Sequence, residues 1–387
     1  MLRGQLVKGL RSIRWVPVSC WQRVWRRVPS DRPVHLIIAL ADHFEPSFVP
    51  GGGPEIFASL DEQERRVEDW CKTYPRIASR FHDVDGRPLR HTYFFPAEQY
   101  EKALIERLAE HCRAGWGEIE VHLHHGINAP DTAENTRKTL LEFRNALVRH
   151  GCLSSWEGDG QPRYAFVHGN WALANSAGGR YCGVDDEMQI LAETGCYADC
   201  TLPSAPDRAQ IAKINNLYEC TLPLDRRAAH RGGLNLRCGR APKIFPLIVQ
   251  GPLGLRPRGP SQWGVPGIEN GELAMHSPPT LDRLRSWERM AITVEGRPDW
   301  IYVKLHCHGM DPKDESVMLG PLMEKFLDEL SREASRLDRI IHFVTTREMV
   351  NIILASCDGC DGDPGSFRDY RLWPMGVSRS GQGSSSA

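Results

Sequence analysis

The sequence predicts an α/β fold built on a parallel sheet, either closed into a barrel or left open, and three observations carry that prediction. From residue 34 onward, short and almost wholly apolar runs alternate with amphipathic segments of helical period, as strands covered on both faces by crossover helices require. Clusters of histidine and acid stand directly after several of those runs, where parallel α/β folds place their ligands. The composition, 41% hydrophobic and 25% charged over 387 residues, is that of a globular chain able to bury a large core.

Taken in order, residues 1–32 form a basic arm. Its first 27 residues hold Arg3, Lys8, Arg11, Arg14, Arg23, Arg26 and Arg27, no acid, and Trp15, Trp21 and Trp25 among them. The arm has no continuous apolar core of a signal peptide, and Pro17 is expected to interrupt any single helix. Two readings stand side by side: peripheral contact with an anionic membrane through residues 1–27, or an arm folded over the domain. The run VHLIIALA (34–41) reads as the first strand, and Leu60–Tyr74 as a helix closed by Pro75. TYFF (92–95) is the second strand, followed by a helix with Tyr100, Ala103, Leu104, Leu108 and Cys112 on one face. EIEVHL (118–123) is the third strand. Asp131 and Glu134 suggest a capping box for the next helix, which Gly151 ends. Further strands are expected at 164–167 and 197–202.

Residues 229–280 are rich in Gly and Pro and weakly periodic, which predicts an irregular excursion from the core. Alternation resumes with a helix at 281–290, the strand WIYVKL (300–305), a helix striped by Leu322, Phe326 and Leu330, a strand at 340–345 and a last helix. The predicted domain therefore runs from 33 to 356, with 357–387 as a tail, disordered after Ser380.

Charge and cysteine content narrow the function. With 48 basic against 49 acidic residues, the net charge of -1 offers no positive field for a nucleic-acid backbone. Twelve scattered cysteines in a chain this long are expected as reduced thiols, which points to the cytoplasm, or to the inner face of a membrane if the arm attaches there. Cys357 and Cys360 form a C-x-x-C without a second pair and are read as thiols on a polar turn. No apolar run approaches the ~18 residues of a membrane span.

Three polar clusters follow strands: Asp42-His43-Phe44-Glu45, His122-Leu123-His124-His125 and His306-Cys307-His308. Alternation along a strand puts His122 and His124 on one face with Glu120, and His125 on the other with Val121 and Leu123. Two imidazoles on one face, joined by an acid from a neighbouring strand end, match a zinc set with an open position for water. The plainer reading is histidines that cap strand ends by hydrogen bonding. His168, after the fourth strand, is a further candidate. Asn170 and Trp171 are candidate sugar or amide contacts, against the plainer roles of turn cap and core aromatic.

The order of these pieces resembles the polysaccharide deacetylase (NodB homology) family. The matching stretches are LIIALADHFEP (36–46), TYFFPAEQYEKALIERLAEHCRAGWGEIEVHLHHG (92–126) and VKLHCHG (303–309). The resemblance implies a distorted (β/α)7-type barrel. It implies that Asp42 stands at the family's general base, His43 at the place of an aspartate ligand, His122 at the first metal histidine and His306 at the general acid. The family's second metal histidine falls on Gly126, so His124 or His125 substitutes. If His43 stands outside the ligand shell, Asp42 becomes the ligand and the base is unassigned. His308 joins His168, Asn170 and Trp171 as a substrate contact.

The activity expected on that basis is a metal-dependent hydrolase, zinc first among divalent ions, that removes an acetyl or other acyl group from a carbohydrate. Two alternatives remain open: glycosidic or phosphodiester cleavage in the same barrel, for which Asp42 and Glu45 are the only obvious nearby acidic pair, and a non-catalytic barrel that binds glycan or a partner. The sequence leaves the oligomeric state open.

Overall fold

In the computed structural model, residues 13–52, 56–157, 159–256, 267–333, 336 and 339–375 are described. The first strand organises the rest. β1 (Val34–His43) is buried along nearly its whole length, as its apolar run requires. On one side it pairs in parallel with β13 (Trp300–Cys307), from His35↔Trp300 to Asp42↔Cys307. Its other side is shared by two strands: β14 (Arg339–Val344) occupies the lower half and β2 (His91–Pro96) the upper half, from Leu40↔His91 to His43↔Phe94. The handover is fixed by hydrogen bonding, because the helix after β14 starts with a capping box at Thr345 and the Thr346 amide donates to Thr92 Oγ1.

The sheet continues in parallel through β3 (Gly117–Leu123), β5 (Tyr164–His168), β6 (Cys196–Asp199) and β9 (Leu247–Val249). It ends in two antiparallel pairs, β9 with β7 (Leu217–Cys220) and β7 with β8 (Gly233–Asn235). At the other end β12 (Glu272–Leu273) lies beside β13, and β10 (Gly254–Arg256) pairs antiparallel with β11 (Gly267–Glu269) outside the main sheet. The architecture is thus mixed α/β with a central, mostly parallel sheet. Among the described residues no ladder joins β12 or β13 to the β9 end, so the sheet does not close and the expected distorted (β/α)7-type barrel is not confirmed. Instead, a buried lysine spans the gap: Lys304 Nζ donates to the carbonyls of Cys200 and Leu202 at 2.6 and 2.8 Å. The backbones approach closely here, since a Cβ on Gly251 would lie 2.3 Å from the Lys304 carbonyl oxygen.

Alternation divides the core in two. Ile37, Ala39 and Ala41 of β1 pack with Phe94, Val167, Tyr197 and Tyr302 on one face of the sheet. Leu36, Ile38 and Leu40 meet the helical layer on the other, through Trp70 and Tyr74 of α2 (Leu60–Ala78) and Leu104 and Leu108 of α3 (Lys102–His111). The remaining helices are α4 (Ala133–Arg149), α5 (Glu187–Thr194), α6 (Leu281–Arg289), α7 (Pro312–Met318), α8 (Pro321–Glu333) and α9 (Thr346–Asp358).

Several expectations change. Pro75 lies inside α2 rather than ending it, because Ile77 and Ala78 beyond it are fully buried. That burial offsets the hydrogen bond proline removes. α4 is capped by Thr132, whose side chain accepts from the Asn135 amide, while Asp131 turns to His125. The excursion at 229–280 is not outside the core, since it supplies β9 to the main sheet. Residues 257–266 of it lie outside the described residues. The segment after 356 is also part of the domain: β15 (Leu372–Pro374) pairs with β4 (Ser154–Trp156), and Arg347 Nη1 donates to the Leu372 carbonyl. The stretch after Ser380 lies outside the described residues.

At the N-terminus, Pro17 occupies the first turn of helix α1 (Val16–Trp25), where its missing N–H costs nothing. Trp15 is buried with Ala205, Ile214 and Leu253, so this part of the arm docks on the domain. Residues 1–12 lie outside the described residues. All twelve thiols are free. Among the described residues no helix is long and apolar enough to cross a membrane.

Candidate active site

Three strands end at one place. β1 delivers His43 and, just beyond it, Glu45; β3 delivers His122 and His124; β13 delivers His306 and His308. The parallel register aligns these ends, with Ala41 opposite His306 and Pro96 opposite His122. Ring centroids of His43 lie 4.8 Å from His122, 4.7 Å from His308 and 6.3 Å from His306, and His122 lies 4.6 Å from His124. Ligand atoms of His43, Glu45 and His122 fall within 4.8 Å of one another. Glu98, in the 3-10 turn Ala97–Gln99 after β2, accepts from His124 at 2.6 Å.

The protonation logic of this cluster is unusual. His122 Nδ1 sits 3.0 Å from the Val167 carbonyl, and a carbonyl only accepts, so the proton is on Nδ1. In the neutral ring Nε2 is then a bare lone pair, and it faces Glu45 Oε1 at 3.2 Å. Two acceptors in contact repel unless a proton or a cation lies between them. Burial opposes a second proton on His122 and holds its pKa below the ordinary value. Burial would raise the Glu45 carboxyl, but the imidazole of His124 beside it opposes that and holds it below its ordinary value. His43 is pushed well down by burial and by the imidazoles of His308, His122 and His306, and its buried Nδ1 has no hydrogen-bond partner. An acidic carboxylate, neutral imidazoles and an orphaned ring nitrogen make a donor set suited to a divalent cation.

His124 differs. Burial would lower it, but Glu45 and Glu98 together push it up to about 9. Its ring borders a cavity of about 220 Å3 that is also lined by Glu45, Ser47, Phe48, Glu98, Gln99 and Asn170. Gly169 makes room for it, since a Cβ there would lie 2.3 Å from His124 Cδ2.

The other sequence candidates divide. Asp42 faces away from the cluster, as the residue before His43 must on a strand. Its Oδ2 is 3.0 Å from His91 Nδ1, and its Oδ1 accepts from the Gly309 amide at 2.7 Å. The place assigned to it as general base is therefore not next to the histidines. Its partner in the proposed acidic pair, Glu45, is among them. His306 joins the cluster, where burial, Lys304, His308 and Arg283 hold its pKa well below the ordinary value, which opposes the protonated form expected of it. Asn170 lines the cavity, whereas Trp171, in a left-handed conformation, does not.

His125 and His168 stand on the far side of the β3 end in a cluster of their own. His125 donates to Asp131 at 2.8 Å through Nδ1 and to Glu187 at 2.9 Å through Nε2. Glu187 also accepts from the Ala174 amide, with Cys182 Sγ at 3.5 Å and His168 Nε2 at 3.8 Å. Both nitrogens of His125 face carboxylates and its pKa stands well above 6.5, with Glu187 and Asp131 outweighing burial. His168 Nδ1 accepts from the Asn170 amide, so the proton of its neutral ring is on Nε2. Although His125, His168, Cys182 and Glu187 lie close enough to hold an ion, this pattern describes an imidazolium clamped between two carboxylates.

Sequence reasoning missed Glu98, Gly169, Glu187 and Lys304. Glu98 and Glu187 sit in a turn and at a helix start, where no periodicity marks direction. Lys304 was absorbed into an apolar run.

No family model matches the chain, and no curated protein matches it. Among solved structures, a candidate polysaccharide deacetylase from Mycobacterium smegmatis aligns over 92% of this chain and 98% of its own at 13% identity, with a TM-score of 0.40. At that level the likeness carries no argument for fold or activity.

Proposed function

We propose that this protein is a metal-dependent hydrolase that removes an acetyl or related acyl group from an N-acetylated or O-acylated carbohydrate. The observation that supports it most is the facing pair of His122 Nε2 and Glu45 Oε1, with His43 beside them. These three residues would hold a divalent ion, zinc first for an imidazole-rich set. A bound ion of this kind supplies a Lewis acid and a water acidic enough to attack near neutral pH.

The chain's own groups fit the remaining tasks. His124, hydrogen-bonded to Glu98 through Nδ1 and open to the cavity, gives its Nε2 proton to the departing amine or alkoxide. His306, its ring 6.3 Å from that of His43, borders the donor set as a neutral imidazole. Asp42 keeps the Gly309 amide in place and so orients the chain around His308. At about 220 Å3 the cavity is smaller than the ~300–1,000 Å3 of pockets for drug-sized ligands, which suits one acylated sugar unit. Exposed Ile56 and Phe57 on its lining offer an apolar platform for a sugar face.

Protein purified without chelator is expected to carry a stoichiometric divalent metal and to release acetate from N-acetylated oligosaccharides, with both lost in His122→Ala. Absence of metal together with alanine-tolerant positions 43, 45 and 122 would refute the reading. Reducing sugar or phosphate released in place of acetate would reassign the reaction.

A further inference from the structure

Helix α1 docks through the partly buried Val16 and Val18 but leaves a second apolar face turned outward. The residue it buries is Gln22, whose Nε2 donates to the Ile214 carbonyl and whose Oε1 accepts from Asn215. Its large apolar side chains face solvent: Trp21 is 61%, Val24 57% and Trp25 68% exposed, at i, i+3 and i+4 on one face. Ile13, just before the helix, is 51% exposed. Leaving such a face in water forgoes burial that an ordinary amphipathic helix would obtain.

The charge beside this face has one sign. A groove of about 400 Å3 runs between α1 and α6, lined by Arg23, Arg26, Arg27 and Arg289 and by no acidic residue. Arg26 turns inward and anchors the helix, donating to the carbonyls of Asn215, Met290 and Ala291 and to Asn216 Oδ1, all uncharged oxygens. Arg23, Arg27 and Arg289 are exposed.

We propose that this face seats the protein on an anionic lipid bilayer. Trp21, Val24 and Trp25 enter the headgroup boundary, and the arginine groove receives a phosphate-bearing headgroup. Indole rings favour the interface because one edge is apolar and the N–H remains wet. Arginines beside them take phosphate oxygens through paired N–H donors. A protein partner with an acidic surface would satisfy the groove but would leave two adjacent tryptophans needing an apolar pocket. A bilayer supplies both layers at the spacing of one helix face.

The test is flotation of the full-length protein with phosphatidylcholine vesicles, with and without phosphatidylglycerol. Binding is expected only to the anionic vesicles and is expected to weaken at high salt, where the Debye length shrinks to ~3 Å at 1 M. Arg23→Gln with Arg27→Gln should lower partitioning about 25-fold, from roughly fivefold per arginine (~1 kcal/mol each). Trp21→Ser with Trp25→Ser should abolish quenching of tryptophan fluorescence by brominated lipid while leaving the thermal melt unchanged, because Trp15 keeps the helix docked. Equal binding to both vesicle types, unchanged binding of either double variant, or no binding at all would overturn the proposal. So would a lipid-free dimer that the tryptophan substitutions dissociate, or capture of soluble glycerophosphoglycerol without any capture of vesicles.

Discussion

Replacing Glu187 by glutamine tests the clamp behind the β3 end. The glutamine keeps the shape and an acceptor for the Ala174 amide but removes the charge facing His125 Nε2 at 2.9 Å. Burial would raise the Glu187 carboxyl from 4.5, yet the imidazoles of His168 and His125 and the Ala174 amide hold it at about 2. A displacement of that size is on the order of 3 kcal/mol of native-state stability, and loss of one partner from a buried ion pair costs a comparable ~3–5 kcal/mol. Because the Glu187 pKa is depressed, its contribution is complete above ~4.5 and is lost as the pH falls toward about 2. Because the His125 pKa is raised, its share is complete below 6.5 and is lost only as the pH climbs through the higher folded value. Urea denaturation of wild type and Glu187→Gln should therefore differ most between pH ~4.5 and 6.5 and converge on acidification. A gap below ~1 kcal/mol across that window, or one that widens toward pH 3, would refute the clamp.

Two other substitutions probe the candidate site. Asp42→Asn should cost about 2 kcal/mol, since it weakens charge-assisted bonds to His91 and the Gly309 amide, while kcat for acetate release changes little. A loss of kcat matching that of His122→Ala would restore Asp42 as the base. Gly169→Ala should lower the denaturation midpoint and also cut kcat/KM by roughly 100-fold, because the added methyl pushes the His124 ring away from Glu98. Steady-state kinetics beside a thermal melt separate the two effects, and a stability loss without a kinetic one would place His124 outside the reaction.

Much of this arrangement was legible in the residues because strands obey a period of two. The parity of HLHH assigned His122 and His124 to one side and His125 to the other without knowledge of any neighbour. The same parity separates Asp42 from His43, but there the sequence reading followed the family resemblance and placed both at the site. The almost wholly apolar run at 34–41 announced a strand covered on both faces. What escaped was set by tertiary contact. Pro75 stays helical because of what Ile77 and Ala78 bury, and the three-residue β9 is too short to show a pattern. Closure depends on which edges meet, and the gap bridged by Lys304 leaves no periodic trace in its own strand.

The shared flank of β1 constrains how this chain can change length. One residue removed from β1 would turn Asp42 toward the cation-ready histidines, send His43 among the helices, and throw its pairing with β13, β14 and β2 out of step at once. Insertions and deletions in descendants of this gene are therefore barred from residues 34–43, which can drift only by substitution. Length polymorphism would gather in the connections, and an aligned relative that shows a gap inside this strand would signal a misplaced alignment.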